Sequence, residues 1–439
     1  MKRKRNRTKE FVLAFVALTI IVSVCTNIYL FKELHFSSIP STTEQIELPH
    51  YTAKKYEIDP TSPVPSLNDI PKWPPMKIFV YPEDNFHTED CLYPPEMPNR
   101  YVNESGYWFQ RMLEPTIHYQ FLNSPMLTQN PDEADFFFIP HYSRMCSGLD
   151  SGERWSLIPD YLKQTGHFFN RYSSADHFIM HSVPHYGDKP ADKAVSKDKA
   201  PMIGILDLKL SSIKANPWLL SRTTIVPFIT LPTTDSFLNK RPISAFVAMS
   251  TSTKGLKASS AILRQKIEEQ LSNVSKSEIV IINRKEYSTF KKALDSLPLK
   301  MKSSKFCIVP PGDAPSSKRF YDAVSYFCVP FLLADYFILP YEDIGVDYND
   351  CIIQLPSKNV SSLSEILNKE ISKGKSDELR KNLKTVNEKF TWNYRKRPKA
   401  GQALWALSWS IYDKVRMLKP YENNEMTGFD DDPFYKFVE

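Results

Sequence analysis

Residues 303–343 read SSKFCIVPPGDAPSSKRFYDAVSYFCVPFLLADYFILPYED, and this stretch decides the fold because it spells strand, turn, helix and strand in succession. Residues 306–309 are a short apolar run halted by Pro310, Pro311 and Gly312, the residue types that punctuate turns. Ser316 or Ser317 then offers a hydroxyl to the free N–H groups of a helix's first turn. Phe320, Val324 and Phe327 follow at spacings of four and three, which predicts one buried stripe. Residues 329–334 are a second unbroken apolar run, the pattern of a strand covered on both faces of a parallel sheet.

A glycine-bearing loop that opens a helix presents unpaired backbone N–H groups and the positive end of the helix dipole, a setting that suits a diphosphate. Gly312 permits close backbone approach, Ser316 and Ser317 add donors, Lys318 adds charge and Arg319 offers a fork to phosphate. Asp322 lies one turn further on, within reach of a ribose hydroxyl. On spacing alone the simpler reading is a plain βαβ unit with solvated basic residues, since neither a GxGxxG nor a Walker pattern is present.

The particular residues carry more than their spacing. Phe-Cys at 306–307, Pro-x-Gly-Asp at 310–313, Ser-Ser-x-Arg at 316–319, the acid before Ala323 and Cys-Val-Pro at 328–330 resemble the signature of exostosin-like glycosyltransferases. Weaker likeness runs through residues 130–143 (NPDEADFFFIPHYS) and 170–182, so the resemblance covers most of 75–400. It implies an inverting enzyme of the GT-B arrangement, two Rossmann-like domains facing a cleft. The sugar nucleotide, expected to be a UDP-sugar, would lie on the C-terminal domain and the glycan or polysaccharide acceptor in the cleft. The same resemblance assigns donor contacts to Gly312, Asp313, Ser316, Ser317, Arg319 and Asp322, the last near the ribose. One departure stands out. Where the family commonly places an Arg-Gly after the first strand of this domain, residues 246–255 read FVAMSTSTKG, with Lys254 or Lys257 the only replacement. That segment favours the alternative of an inactive partner or chaperone of another glycosyltransferase.

Working outward, strand and helix patterns alternate along the chain. Residues 77–81, 134–140, 177–181 and 223–229 predict strands, and 107–121 and 157–172 predict helical intervals. Residues 231–242 (LPTTDSFLNKRP) break the alternation and mark an interdomain crossing. A second alternation follows, with strands at 243–249 and 278–283, helices at 259–271 and 287–294, and then the central segment. Helices at 361–373, 377–390 and 400–415 close the pattern. This order predicts an α/β fold with two parallel sheets, helices on both faces of each. The domains expected are 73–235 for the acceptor, 236–400 for the nucleotide sugar and 401–439 as a C-terminal helix and tail.

The N-terminus predicts a membrane anchor. Residues 11–31 carry no charge over a length that spans a bilayer, and they exceed the apolar region of a cleavable signal. Residues 1–10 hold six basic residues and one acid, which predicts a cytosolic N-terminus and a lumenal body, in the Golgi by the resemblance. That cluster supplies most of the net charge of +6, so the remainder is near neutral and gives no basis for a nucleic-acid partner; none is expected. Residues 32–72 contain Pro40, Pro49, Pro60, Pro63, Pro65 and Pro71 without a hydrophobic period, the composition of a stem.

Of six cysteines, Cys25 falls in the span, leaving five in the lumen, an odd number that cannot all pair internally. The family positions imply a Cys307–Cys328 disulfide, the alternative being buried thiols. Cys91–Cys146 is a looser expectation, with Cys351 free or bridging subunits in a homo- or hetero-oligomer with other glycosyltransferases. Sequons at Asn103, Asn273 and Asn359 suit a lumenal surface, while that at Asn6 lies on the cytosolic side.

Leaving-group stabilisation in sugar transfer needs a metal or fixed cations. The acidic patches at 347–350 and 430–432 read as solvated loops, so no metal ligand is assigned and metal-independent transfer is expected. Inversion also needs a base on the acceptor hydroxyl. His141, His181 and His185 lie at or after predicted strand ends; His181 and His185 are the candidates, against the commoner structural role of such residues.

Overall fold

The computed structural model describes residues 72–82, 112–140, 168–169, 171–182, 201–208, 213, 222–230, 240–250, 258–282, 287–312, 317–335, 337–393 and 396–416, all within the compact unit Pro49–Glu439. The expected span at 11–31 and the stem, apart from Lys72, lie outside these residues. No described helix is long and apolar enough to cross a membrane.

The first half is a parallel sheet in the order β1-β2-β3-β4-β5. Its strands are β1 (Ile78–Val80), β2 (Phe136–Ile139), β3 (His177–His181), β4 (Met202–Ile205) and β5 (Thr223–Ile225), with α1 (Leu113–Leu122) between the first two. Every strand residue is buried, as the apolar runs demand. β4 has no counterpart in the sequence expectations because Gly204 splits its short apolar run. The glycine has a packing cause: a Cβ there would lie 2.6 Å from the Phe178 ring and 2.7 Å from the Met180 sulfur. The helical interval expected at 157–172 does not reach its end as an α-helix; Arg171–Ser174 is a 3₁₀ turn.

The second half is a parallel sheet in the order β7-β6-β8-β9-β10. It comprises β6 (Ile243–Met249), β7 (Ser277–Ile281), β8 (Ser304–Val309), β9 (Val329–Leu333) and β10 (Ile353–Leu355). Around it are α2 (Ala258–Ser272), α3 (Tyr287–Lys302), α4 (Lys318–Ser325), α5 (Leu363–Ser372) and α6 (Lys375–Phe390), and α7 (Ala403–Val415) ends the described chain. The two-residue period of β6 sorts its side chains onto two cores. Ala245, Val247 and Met249 pack with Leu263, Ile267 and Leu271 of α2. Phe246 and Ala248 pack with Leu294, Leu297 and Met301 of α3.

The central segment folds as strand, turn, helix, strand; one of the two serines expected as a cap takes that role, and the helix ends before its apolar stripe does. Ser317, rather than Ser316, caps α4, its hydroxyl accepting from the Arg319 N–H at 3.3 Å. Phe327 lies beyond the helix in the left-handed region (φ +53°) yet is buried, so the expected stripe of Phe320, Val324 and Phe327 is buried throughout while the helix itself ends at Ser325. Cys328 N–H donates to Ala323 O (2.9 Å) and Phe327 N–H to Val324 O (3.1 Å), the paired bonds that close a helix C-terminus. Glycine usually fills that left-handed position. Here the next residue, Cys328, is fixed by a disulfide to Cys307 (Cα–Cα 5.7 Å), which holds the end of α4 against the neighbouring strand.

Buried Arg241 enters the second half as a tie. Its guanidinium donates to Met301 O (3.0 Å), Ser304 O (2.7 Å) and Tyr326 O (2.7 Å), joining the end of α3, β8 and the end of α4. Burial lowers its pKa to about 10, which leaves it charged at neutral pH. The two halves share one continuous core that includes Phe136, Phe178, Val309, Phe320, Phe390 and Leu407. Polar ties cross it: Trp392 Nε1–H to Pro227 O (3.1 Å), Gln120 Nε2–H to Asn393 O (3.0 Å), and the Thr230 and Ser325 hydroxyls at 2.6 Å.

Candidate donor and acceptor site

In an open parallel sheet, ligands bind beyond the carboxyl ends of the strands where the chain order reverses. The second sheet reverses at one place, between β6 and β8: from β6 the chain goes to β7 on one side, then returns to β8 on the other. The first sheet, whose described strands run in sequential order, contains no such reversal. The loop from Pro310 to α4 leaves β8 at this switch point, so topology and side-chain chemistry select the same place.

Arg264 of α2 is the residue that organises it. Its guanidinium donates to the carbonyl of Ser250, just after β6, and to the carbonyl of Pro311 at 3.2 Å, just after β8. The residue is 7% exposed. Sequence reading missed it, although a signal exists: an arginine inside an otherwise buried Leu263, Ile267, Leu271 stripe needs acceptors within the fold.

At the N-terminus of α4 the cations are paired. Lys318 Nζ lies 2.5 Å from Asp322 Oδ1, and Arg319 Nη1 lies 3.2 Å from Asp322 Oδ2. The two basic residues are thus held in ion pairs with a shared carboxylate rather than simply solvated. One carboxylate between two cations leaves the helix start with net positive charge, added to the dipole. Each carboxylate oxygen keeps a further lone pair, so Asp322 can still accept from a hydroxyl. Burial, then the charge of Asp322, pushes the Tyr326 phenol above its ordinary range, so it stays a neutral donor. Gly312 is half-buried and begins the loop. Asp313, Ser316, Lys254 and Lys257 lie outside the described residues.

On the first sheet, His181 is the last residue of β3, at a carboxyl end, and is 4% exposed. The next residue is fixed from α1: Ser182 N–H donates to the buried Glu114 carboxylate at 2.9 Å. Glu114 is a second residue that sequence reading passed over, an acid in a helix buried from Leu113 to Phe121. His177, at the other end of β3, is structural. Fully buried, it stacks on Phe137 (4.7 Å) between the Asp176 carboxylate (2.8 Å) and the Tyr81 hydroxyl (3.0 Å). His141 and His185 lie outside the described residues.

Among the remaining assignments, Asn273 and Asn359 are exposed, and Asn103 lies outside the described residues. Cys351 is a free, buried thiol, and Cys91 and Cys146 lie outside the description. Asp347 and Asp350 are exposed, with Asp347 Oδ1 accepting from Asn349 N–H (2.9 Å), a local loop contact. Among the described residues no cluster of three or more His, Cys, Asp or Glu side chains is arranged to hold a metal ion.

The sequence model of the Exostosin GT47 domain matches residues 72–369. A probable beta-1,4-xylosyltransferase IRX10L of Arabidopsis thaliana is 25% identical over 316 residues, 66% of this chain and 70% of that protein. A probable glucuronoxylan glucuronosyltransferase of the same plant is 23% identical over 374 residues, 77% of this chain and 73% of that protein. Among solved structures, a mutant TarM of S. aureus in complex with Fondaparinux, alpha-GlcNAc-glycerol and UDP aligns with 64% of this chain and 55% of that chain at 10% identity and a TM-score of 0.34.

Proposed function

The chain belongs to the exostosin GT47 family, and from that premise we propose that it transfers a sugar from a nucleotide donor, a UDP-sugar, to a growing glycan with inversion. The observation that carries this reading is the coincidence at one switch point of the Arg264 clamp, the capped N-terminus of α4 and the Lys318–Arg319–Asp322 cluster. The names of the relatives, xylosyl- and glucuronosyltransferases, support a polysaccharide acceptor.

In the proposed reaction the acceptor hydroxyl oxygen bonds to the anomeric carbon as the bond from that carbon to the diphosphate oxygen breaks. His181 takes the acceptor proton, and Glu114 holds the adjacent backbone so that the ring keeps its place at the strand end. Negative charge accumulating on the diphosphate is met by Arg319, Lys318 and the first-turn N–H groups of α4, an arrangement that needs no metal. The membrane anchor at 11–31 and the sequons at Asn103, Asn273 and Asn359 favour a Golgi lumenal setting.

The test is a thermal shift of the purified full chain with UDP and with GDP, each with and without EDTA. Stabilisation by UDP that survives EDTA and disappears in Arg319→Ala supports the assignment. A well-folded chain stabilised by neither nucleotide would overturn it and favour the inactive-partner reading.

A further inference from the structure

α7 carries three aromatic residues, Trp405, Trp409 and Tyr412, that line an open pocket of about 380 Å³ together with Asp343, Asp413 and Arg416. That volume falls in the roughly 300–1,000 Å³ range of small-molecule sites. The three rings stand nearly on edge to one another. Trp405 and Trp409 are 6.3 Å apart at 69°, and Trp409 and Tyr412 are 5.6 Å apart at 85°. Their positions are fixed, because both indole N–H groups donate to the single carbonyl of Lys72, at 2.8 and 3.2 Å. Trp405 and Tyr412 also pack against the main core. The indole edges are therefore spent within the fold, while the rings still line the pocket.

The charges around them are balanced. Asp343 accepts from Lys414 Nζ (2.7 Å) and the Ser410 hydroxyl (2.5 Å), and Asp413 pairs with Arg416 (2.5 Å). The rim thus supplies acceptors and donors with no excess charge of either sign. Aromatic rings flanked by paired polar groups complement a pyranose: its C–H face is weakly positive and meets the negative face of a ring, while its hydroxyls both donate and accept. A peptide ligand would want the indole N–H donors, which Lys72 already occupies. With the rim charges already paired, a uronate would find no uncompensated cation to meet its carboxylate.

We propose that this pocket is a glycan-binding subsite on α7 that takes a neutral pyranose segment of the polysaccharide, separate from the switch point of the second sheet. The expectation that the glycan is the enzyme's own acceptor rests on the transferase reading above; binding itself does not. A subsite of this kind would hold a long acceptor near the enzyme between transfers, raising its local concentration at the cleft.

The test is calorimetric titration of the purified full chain with xylohexaose and cellohexaose, with aldobiouronic acid as the charged comparison. The expected result is saturable binding of a neutral hexasaccharide, at least about tenfold weaker in Trp409→Ala and weakened in Asp413→Asn, whose side chain sits on the rim and leaves the core intact. Arg319→Ala should bind the hexasaccharide normally, so failure of the donor assignment and failure of this one are told apart. Absence of binding by every neutral glycan overturns the proposal, as does binding that neither substitution changes. Preferential binding of a synthetic peptide spanning residues 49–71 would also overturn it, and would assign the pocket to the chain's own stem.

Discussion

Arg264 donates to the carbonyl oxygen of Pro311 across 47 positions of sequence, and through Ser250 the same guanidinium reaches the loop after β6. One helix side chain therefore sets the spacing of the two loops at the switch point. Removing it leaves two carbonyls without a charged donor, at a cost of about 1.5–3 kcal/mol. Arg264→Met is expected to lower the urea midpoint accordingly and to weaken UDP binding at least about tenfold. Arg264→Lys should recover part of the stability and little of the binding, since an ammonium cannot span both loops as a planar fork does. A variant with wild-type midpoint and wild-type UDP affinity would sink the clamp.

Asp322 separates the two halves of a nucleotide. If it accepts from the ribose while Lys318 and Arg319 face phosphate, Asp322→Asn should weaken UDP about tenfold. Inorganic pyrophosphate should bind as well as before or better, because both cations are released from the carboxylate. Asp322 is buried at 8% exposure and is shared by two cations on one helix, so stability should also fall, by about 1–3 kcal/mol. Equal weakening of UDP and pyrophosphate would show that Asp322 acts by ordering the cations instead.

Much of this architecture was legible because buried parallel strands must be apolar throughout: the strands at 177–181 and 243–249 are visible as runs, and the structure has them at His177–His181 and Ile243–Met249. β10 escaped because three residues with a half-exposed start make no run, and β4 because a glycine interrupts it. The cluster at Ser317–Asp322 is local in sequence and could be quoted from it. Arg264 shows in the sequence only as a charge within an apolar stripe and Glu114 only as an acid in an apolar helix, since Pro311 and Ser182, 47 and 68 positions away, become their partners only in the folded protein.

Gly204 tests the packing of the first sheet. An added methyl would meet the Phe178 ring and the Met180 sulfur well inside van der Waals contact. Gly204→Ala is expected to destabilise by about 1–3 kcal/mol, the usual result of overpacking. Chemical denaturation measures it. Combining the change with Phe178→Leu should restore part of the loss, and a stable single variant would mean that the sheet relaxes freely at this point.

The Cys307–Cys328 disulfide closes a loop with a sequence separation of 21 that contains the whole donor segment. Chain-entropy reasoning gives about 3 kcal/mol of stabilisation for a loop of that size. The double variant Cys307→Ala/Cys328→Ala should lose about that much in denaturant unfolding, and addition of reductant should leave it unchanged. A loss of the same size on adding reductant to the wild type would complete the argument. No difference between reduced and oxidised wild type would remove the disulfide as a source of stability.

Cys351 gives a pH test. Burial, then the nearby Asp347 and Asp350, pushes its thiol up to about 12 while the thiol donates to Tyr348 O at 3.4 Å. A folded pKa above the unfolded value of about 8.5 means the neutral form is the one the fold prefers. Its contribution is therefore complete below about pH 8.5 and is lost as pH rises from there through about 12. Tyr341 and Tyr348, also raised by burial, lose stability in the same direction at higher pH. Cys351→Ala should accordingly show a shallower fall in stability between about pH 9 and 10, where the tyrosines contribute little. In the native wild type the thiol should resist iodoacetamide at neutral pH and react once urea unfolds the chain. Rapid labelling under native conditions would place it at the surface and remove the basis of the pH dependence.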